Sequence, residues 1–145
     1  MIDFSKIDKT SFSTAGYVRR VDKPWGYELH FVHEGLSYMG KIIHIFAGKR
    51  LSLQVHDQKH ESWMLMHGQA RVIWENKSGQ LVETELEEGK GYTCALGQKH
   101  RLVGVTDCDI IEVSTPEVGT TYRLEDDYKR TDETEEVRAE ERKNG

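Results

Sequence analysis

Only two cysteines occur in the 145 residues, and they stand apart at Cys94 and Cys108 rather than as a CxxC pair. Two isolated cysteines make neither a disulfide framework nor a thiolate metal site, so a disulfide scaffold and a structural zinc finger are excluded. Both read as small buried core residues, in a protein expected to be reduced and cytoplasmic. No apolar run approaches the roughly 18 residues of a membrane span. The opening Met1-Ile2-Asp3-Phe4-Ser5-Lys6 also lacks the apolar core of a signal peptide. Excess positive charge is missing too. Lys and Arg total 20 against 25 Asp and Glu, a formal net charge of −5. From Glu125 onward nine acids meet five bases, so nearly all of the imbalance lies in a tail expected to be solvated. The near-neutral remainder has no electrostatic footprint for nucleic acid or an anionic membrane. A Gly-rich phosphate loop, a Ser-His-Asp set, a flavin motif and an internal repeat are likewise absent.

What is present is an ordinary globular composition, 37% hydrophobic and 31% charged, at the length of one domain. Residues 1–16 show no sustained period and read as a flexible arm or a swapped edge segment. From Tyr17 onward short β-rich runs recur every 8–12 residues, such as Gly40 to Phe46, Leu51 to His56 and Ile110 to Ser114. Breakers at Gly48, Gly68, Gly89 and Gly97 separate such runs. That texture predicts an all-β sandwich or barrel over 17–130 rather than βαβ units. Residues 131–145 form a charged tail that is helical or partly disordered, because Val137 alone cannot give a helix an apolar face.

The chemistry concentrates between Gly48 and Gly68. Gln54 and His56 are two apart on a predicted strand and share a face. A four-residue turn, Asp57 to His60, is expected to close a hairpin and deliver Glu61 beside them. A second turn, Gly97-Gln98-Lys99, precedes His100. One amide oxygen, one carboxylate and two imidazoles form a mixed N/O set suited to a divalent transition metal.

These spacings resemble the cupin motifs. Gly48, Gln54, His56, Glu61 and Gly68 match the first motif, with Gln54 in place of its first His. Gly89, Ala95, Gly97, His100 and Gly104 match the second, with Ala95 for Pro and Gly104 for Asn. Leu51-Ser52-Leu53-Gln54-Val55-His56, Glu61, Trp63, Pro24-Trp25-Gly26, His100-Arg101-Leu102 and Arg123 to Arg130 further resemble the cupin domain of type II mannose-6-phosphate isomerases. That likeness spans about residues 21–130. It implies a cupin jelly-roll β-barrel that pairs as a homodimer. It also implies one divalent ion, Zn, Mn, Fe, Ni or Co, on Gln54, His56, Glu61 and His100.

The function so implied is a metal-dependent isomerase or epimerase of sugars or sugar phosphates, with His60, Lys59 and Tyr92 as candidates for proton transfer. An anionic, sugar-like small molecule would meet Lys59, Arg101, Arg130 and Trp63, with no nucleic acid or membrane partner. Two other readings stay open on the same residues. One is a sugar-binding or regulatory module without catalysis. The other is a metal-dependent dioxygenase, for which His56, His100 and Glu61 meet the facial set of two His and one carboxylate.

Overall fold

The structure, a computed structural model, describes residues 1–143. Eleven strands form two antiparallel sheets facing one another. They are β1 (Arg19–Lys23), β2 (Gly26–His30), β3 (Met39–Ile45), β4 (Leu53–His56), β5 (Glu61–His67) and β6 (Ala70–Glu75). Then come β7 (Leu81–Glu85), β8 (Gly91–Cys94), β9 (His100–Gly104), β10 (Cys108–Ser114) and β11 (Thr121–Glu125), and a terminal helix α1 (Glu135–Arg142). One sheet runs β1-β2-β3-β10-β5-β8 and the other β11-β4-β9-β6-β7. This is the expected jelly-roll barrel. The short edge strands β1 and β11 go beyond the runs read in the sequence. Both are charge-rich, and pairing with β2 and β4 makes them strands.

Period-two alternation sets which side chains face inward, and pairing then stacks them in layers. In the six-stranded sheet Cys108 pairs with Ile45, Ile110 with Ile43 and Leu65, and Glu112 with Lys41 and Trp63. The other sheet contributes Ala70, Val72 and Leu102 to the same interior. One end of the barrel is therefore a packed apolar core. In the other, the inward positions of the same strands carry Glu28, Lys41, Glu61 and Glu112, each at most 7% exposed. Cys94 and Cys108 are buried and free, as expected.

Gly68 closes the turn between β5 and β6 at φ +84°, where a Cβ would lie 2.3 Å from the Asp107 carbonyl oxygen. Only glycine fits that crossing. The tail differs from the solvated segment expected. Thr134 caps α1 by accepting the Val137 N–H. Arg138, 6% exposed, donates to the Glu133 carboxylate and to the carbonyls of Glu117 and Gly119. Charge rather than an apolar face docks this helix. Residues 1–16 leave Phe4 and Phe12 exposed and contribute one 3-10 turn at Phe4–Lys6. No helix among the described residues is long and apolar enough to cross a membrane.

Candidate metal centre

The turn at Asp57 to His60 is not a hairpin. Strand β4 pairs with β11 and β9, whereas β5 pairs with β10 and β8, so the turn carries the chain from one sheet to the other. The turn at Gly97 to Lys99 does the same between β8 and β9. Both crossings matter. They make His56 and His100, from one sheet, face Glu61 from the other across the barrel interior.

Glu61 Oε1 lies 2.8 Å from His100 Nε2 and 3.3 Å from His56 Nε2. One ligand atom from each residue falls within 4.8 Å of the others, and all three residues are buried. The far ring nitrogens are tied outward. His100 Nδ1 donates to the Gln98 carbonyl at 2.8 Å, and His56 Nδ1 is 2.8 Å from the Thr121 hydroxyl. Such outer partners fix ring orientation and direct both Nε2 atoms at the shared carboxylate. The donor set fits a borderline divalent cation, with open positions left over. Gln54 joins the edge of this cluster. Its amide nitrogen is 3.5 Å from His100 Nε2, while its oxygen accepts from Ser52 Oγ at 3.0 Å. A half-turn of the amide presents the oxygen to the same point.

Electrostatics at the cluster follow from burial. Burial works to raise the Glu61 carboxyl, but the Lys59 ammonium and the two imidazoles override it and hold the group well below the usual range. His100 is pushed up to about 10, against burial, by its contacts with Cys94 and Glu61. Burial dominates at His56 and lowers it. Glu112 is raised to about 7 by burial and by the neighbouring Glu61 charge.

Of the residues singled out for proton transfer, Lys59 turns inward and is 7% exposed. Its Nζ lies 3.0 Å from Glu61, 3.1 Å from Glu112 and 3.6 Å from Glu117. His60 is exposed at the turn. Tyr92 sends its hydroxyl to the Glu87 N–H at 2.9 Å, away from the cluster. Trp63 packs beneath the cluster, its ring 5.5 Å from that of His100, and its buried indole N–H has no hydrogen-bond partner. Arg101 projects from the opposite side of β9, donating to the carbonyls of Leu51 and Glu125. Arg130 reaches the cavity rim but is held by a two-pronged pair with Asp126.

Around the cluster is an inner cavity of about 50 Å³. Its remaining charged lining, chiefly Glu28, Lys41, Glu112, Glu117 and Arg142, was not singled out from the sequence. A signal for three of these did exist. Lys41 lies two residues from Ile43, Glu112 two from Ile110, and Glu28 two from Gly26, all on inward faces.

The mannose-6-phosphate isomerase C-terminal family model matches residues 12–133. The chain belongs to that family. Its relatives within the family's reach include the xanthan biosynthesis protein XanB of Xanthomonas campestris pv. campestris, 32% identical over 90% of this chain and 26% of that protein. The alginate biosynthesis protein AlgA of Pseudomonas aeruginosa is 33% identical over 78% of this chain and 23% of its own length. Mannose-1-phosphate guanylyltransferase ManC of Salmonella typhimurium is 33% identical over 77% and 23%. The chain thus spans about a quarter of the length of these relatives. Among solved structures, KdgF from Halomonas sp. superposes with a TM-score of 0.59 at 16% identity, covering 68% of this chain and 88% of that one. Oxalate decarboxylase from Bacillus subtilis gives 0.63 at 16% identity, over 80% of this chain and 34% of that one. These likenesses show the fold alone, and it is a cupin.

Proposed function

We propose that this chain is a metal-dependent sugar-phosphate isomerase or epimerase, with mannose 6-phosphate as the first substrate to test. One observation carries the reading. A His-Glu-His cluster faces a buried lysine inside the charged end of a mannose-6-phosphate isomerase C-terminal barrel. His56, Glu61 and His100 would hold the ion, with Gln54 as a fourth donor. A divalent ion there supplies Lewis acidity to a carbonyl and its neighbouring hydroxyl.

The chain's own groups do the rest. Burial opposes the Lys59 charge, but Glu112 and Glu61 raise its pKa, so the group keeps its proton. It stabilises negative charge developing on a substrate oxygen and can donate to it. Glu112, in contact with Lys59, is the carboxylate placed to accept a proton removed from carbon. Incubation of the metal-loaded protein with hexose and pentose phosphates in heavy water, followed by NMR, tests the proposal. Solvent deuterium should enter the carbon next to the carbonyl of at least one of them. No exchange with any of them overturns it.

A further inference from the structure

Glu117 sits where no strand requires it. It lies on the connection between β10 and β11, and yet its carboxylate is drawn into the barrel mouth, with its side chain 7% exposed. Three basic groups converge on it. Lys41 Nζ donates to one oxygen, Lys59 Nζ is 3.6 Å from the same oxygen, and the Arg142 guanidinium of α1 meets the other. Lys41 comes from β3, Lys59 from the turn between β4 and β5, and Arg142 from α1. Together they form a cradle shaped for an oxyanion.

We propose that this cradle is the binding site for the anionic group of the ligand, a phosphate or carboxylate, and that Glu117 is an internal occupant which the ligand displaces. The inference rests on the sugar-phosphate reading above and names the subsite that reading requires. Ion pairing supports it. Lys41 meets Glu28, Glu112 and Glu117, Lys59 meets Glu61, Glu112 and Glu117, and Arg142 meets Glu117 and Glu34. Glu117 is the one carboxylate that all three cations share, and its withdrawal leaves a place that an anion fills.

Its position in the chain supports it as well. Glu28, Glu61 and Glu112 are fixed on strands, whereas Glu117 lies on a connection outside both sheets. Space supports it too. Glu117 and Arg142 also line an outer groove of about 590 Å³, bounded by α1 and the β2–β3 connection. The pair thus partitions that groove from the inner cavity of about 50 Å³, which is too small for a hexose phosphate until the partition opens. The cradle differs from the anion clamp expected from the sequence. Lys59 is common to both, while Arg101 and Arg130 are engaged elsewhere.

The test is titration of this chain with inorganic phosphate by calorimetry, metal-loaded and metal-free. Three variants are compared: Glu117→Gln, the double variant Glu117→Gln with Arg142→Gln, and Glu136→Gln as an exposed carboxylate outside the cradle. An occupant present nine-tenths of the time lowers apparent affinity about tenfold, so Glu117→Gln should bind phosphate on the order of tenfold more tightly than the parent. Adding Arg142→Gln should abolish the gain, and Glu136→Gln should leave affinity unchanged. Unaltered affinity in Glu117→Gln overturns the proposal. An equal gain in Glu136→Gln overturns it too, because bulk charge then explains the effect. A gain that survives Arg142→Gln assigns the phosphate to the ion instead and also overturns it. Because these readouts involve no turnover, a protein that passes them and exchanges no proton refutes only the isomerase reading.

Discussion

The two ends of the barrel use the same strands for opposite purposes. At one end β3, β5 and β10 point Ile45, Leu65, Cys108 and Ile110 inward, and the interior is as dry as any core. Two to four residues further along, the same faces carry Lys41, Glu61 and Glu112, which are also buried but charged. Burying an apolar side chain contributes roughly 1.5–3 kcal/mol, whereas an unpaired buried charge costs several. The apolar end therefore supplies the stability that lets the charged end exist. The charged end is tolerable only because each carboxylate meets an ammonium, a guanidinium or an imidazole. Such a network is a poor way to make a protein stable and a good way to receive an ion and an anionic ligand.

The largest effect that would sharpen this contrast lies at the cluster. His56→Ala and Glu61→Gln should each lose metal affinity by more than the roughly 10–100-fold that an outer partner's loss costs. Elemental analysis after dialysis measures this, and full retention of metal in either variant rules the cluster out. Lys59→Met should come next, at about 3–5 kcal/mol of stability, because it takes from Glu61 and Glu112 their nearest ammonium. Ile110→Ala, at the dry end, should cost about 2–5 kcal/mol in a urea titration while leaving metal content untouched. Coupled loss of metal in that variant would erase the division between the ends.

Pairing Lys59→Met with Glu112→Leu should recover much of the single variant's loss, since the penalty belongs to the orphaned partner rather than to the pair. The smallest effect concerns α1. Burial raises the Glu133 carboxyl, but Lys23 and Arg138 override it and hold its folded value below 4.5. A group depressed in this way stabilises the fold above its unfolded value, and that contribution fades as pH falls below about 4.5. Amide exchange in α1 should therefore accelerate on acidification before exchange in β10 does. Simultaneous acceleration would mean that α1 and the barrel open as one.

Much of the candidate site was legible because it is written locally. Strand periodicity puts Gln54 and His56 on one face, and turn lengths fix where Glu61 and His100 follow. What local spacing misread was the turns themselves. Four residues close a hairpin or cross between sheets equally well, and only the pairing of β5 with β10 decides which. Lys41 and Glu112 were passed over for a related reason. Each looks like an isolated charge in an apolar run until strands some seventy residues apart pair and set them side by side. The tail was read as solvated because an apolar face was sought, and its partners Lys23, Glu117 and Arg123 lie in the folded barrel rather than nearby in sequence.

The sequence by itself determined an all-β sandwich or barrel, the spacing of the His and Glu donors and the near-neutral body. All of these follow from alternation, glycine breakers and composition, which are properties of neighbouring residues. The tertiary structure decided that the donors meet across two sheets, that the interior divides into a dry end and a charged end, and that Glu117 occupies an anion cradle. Those are properties of distant residues, and only long-range strand pairing brings their charges within a few ångströms of one another.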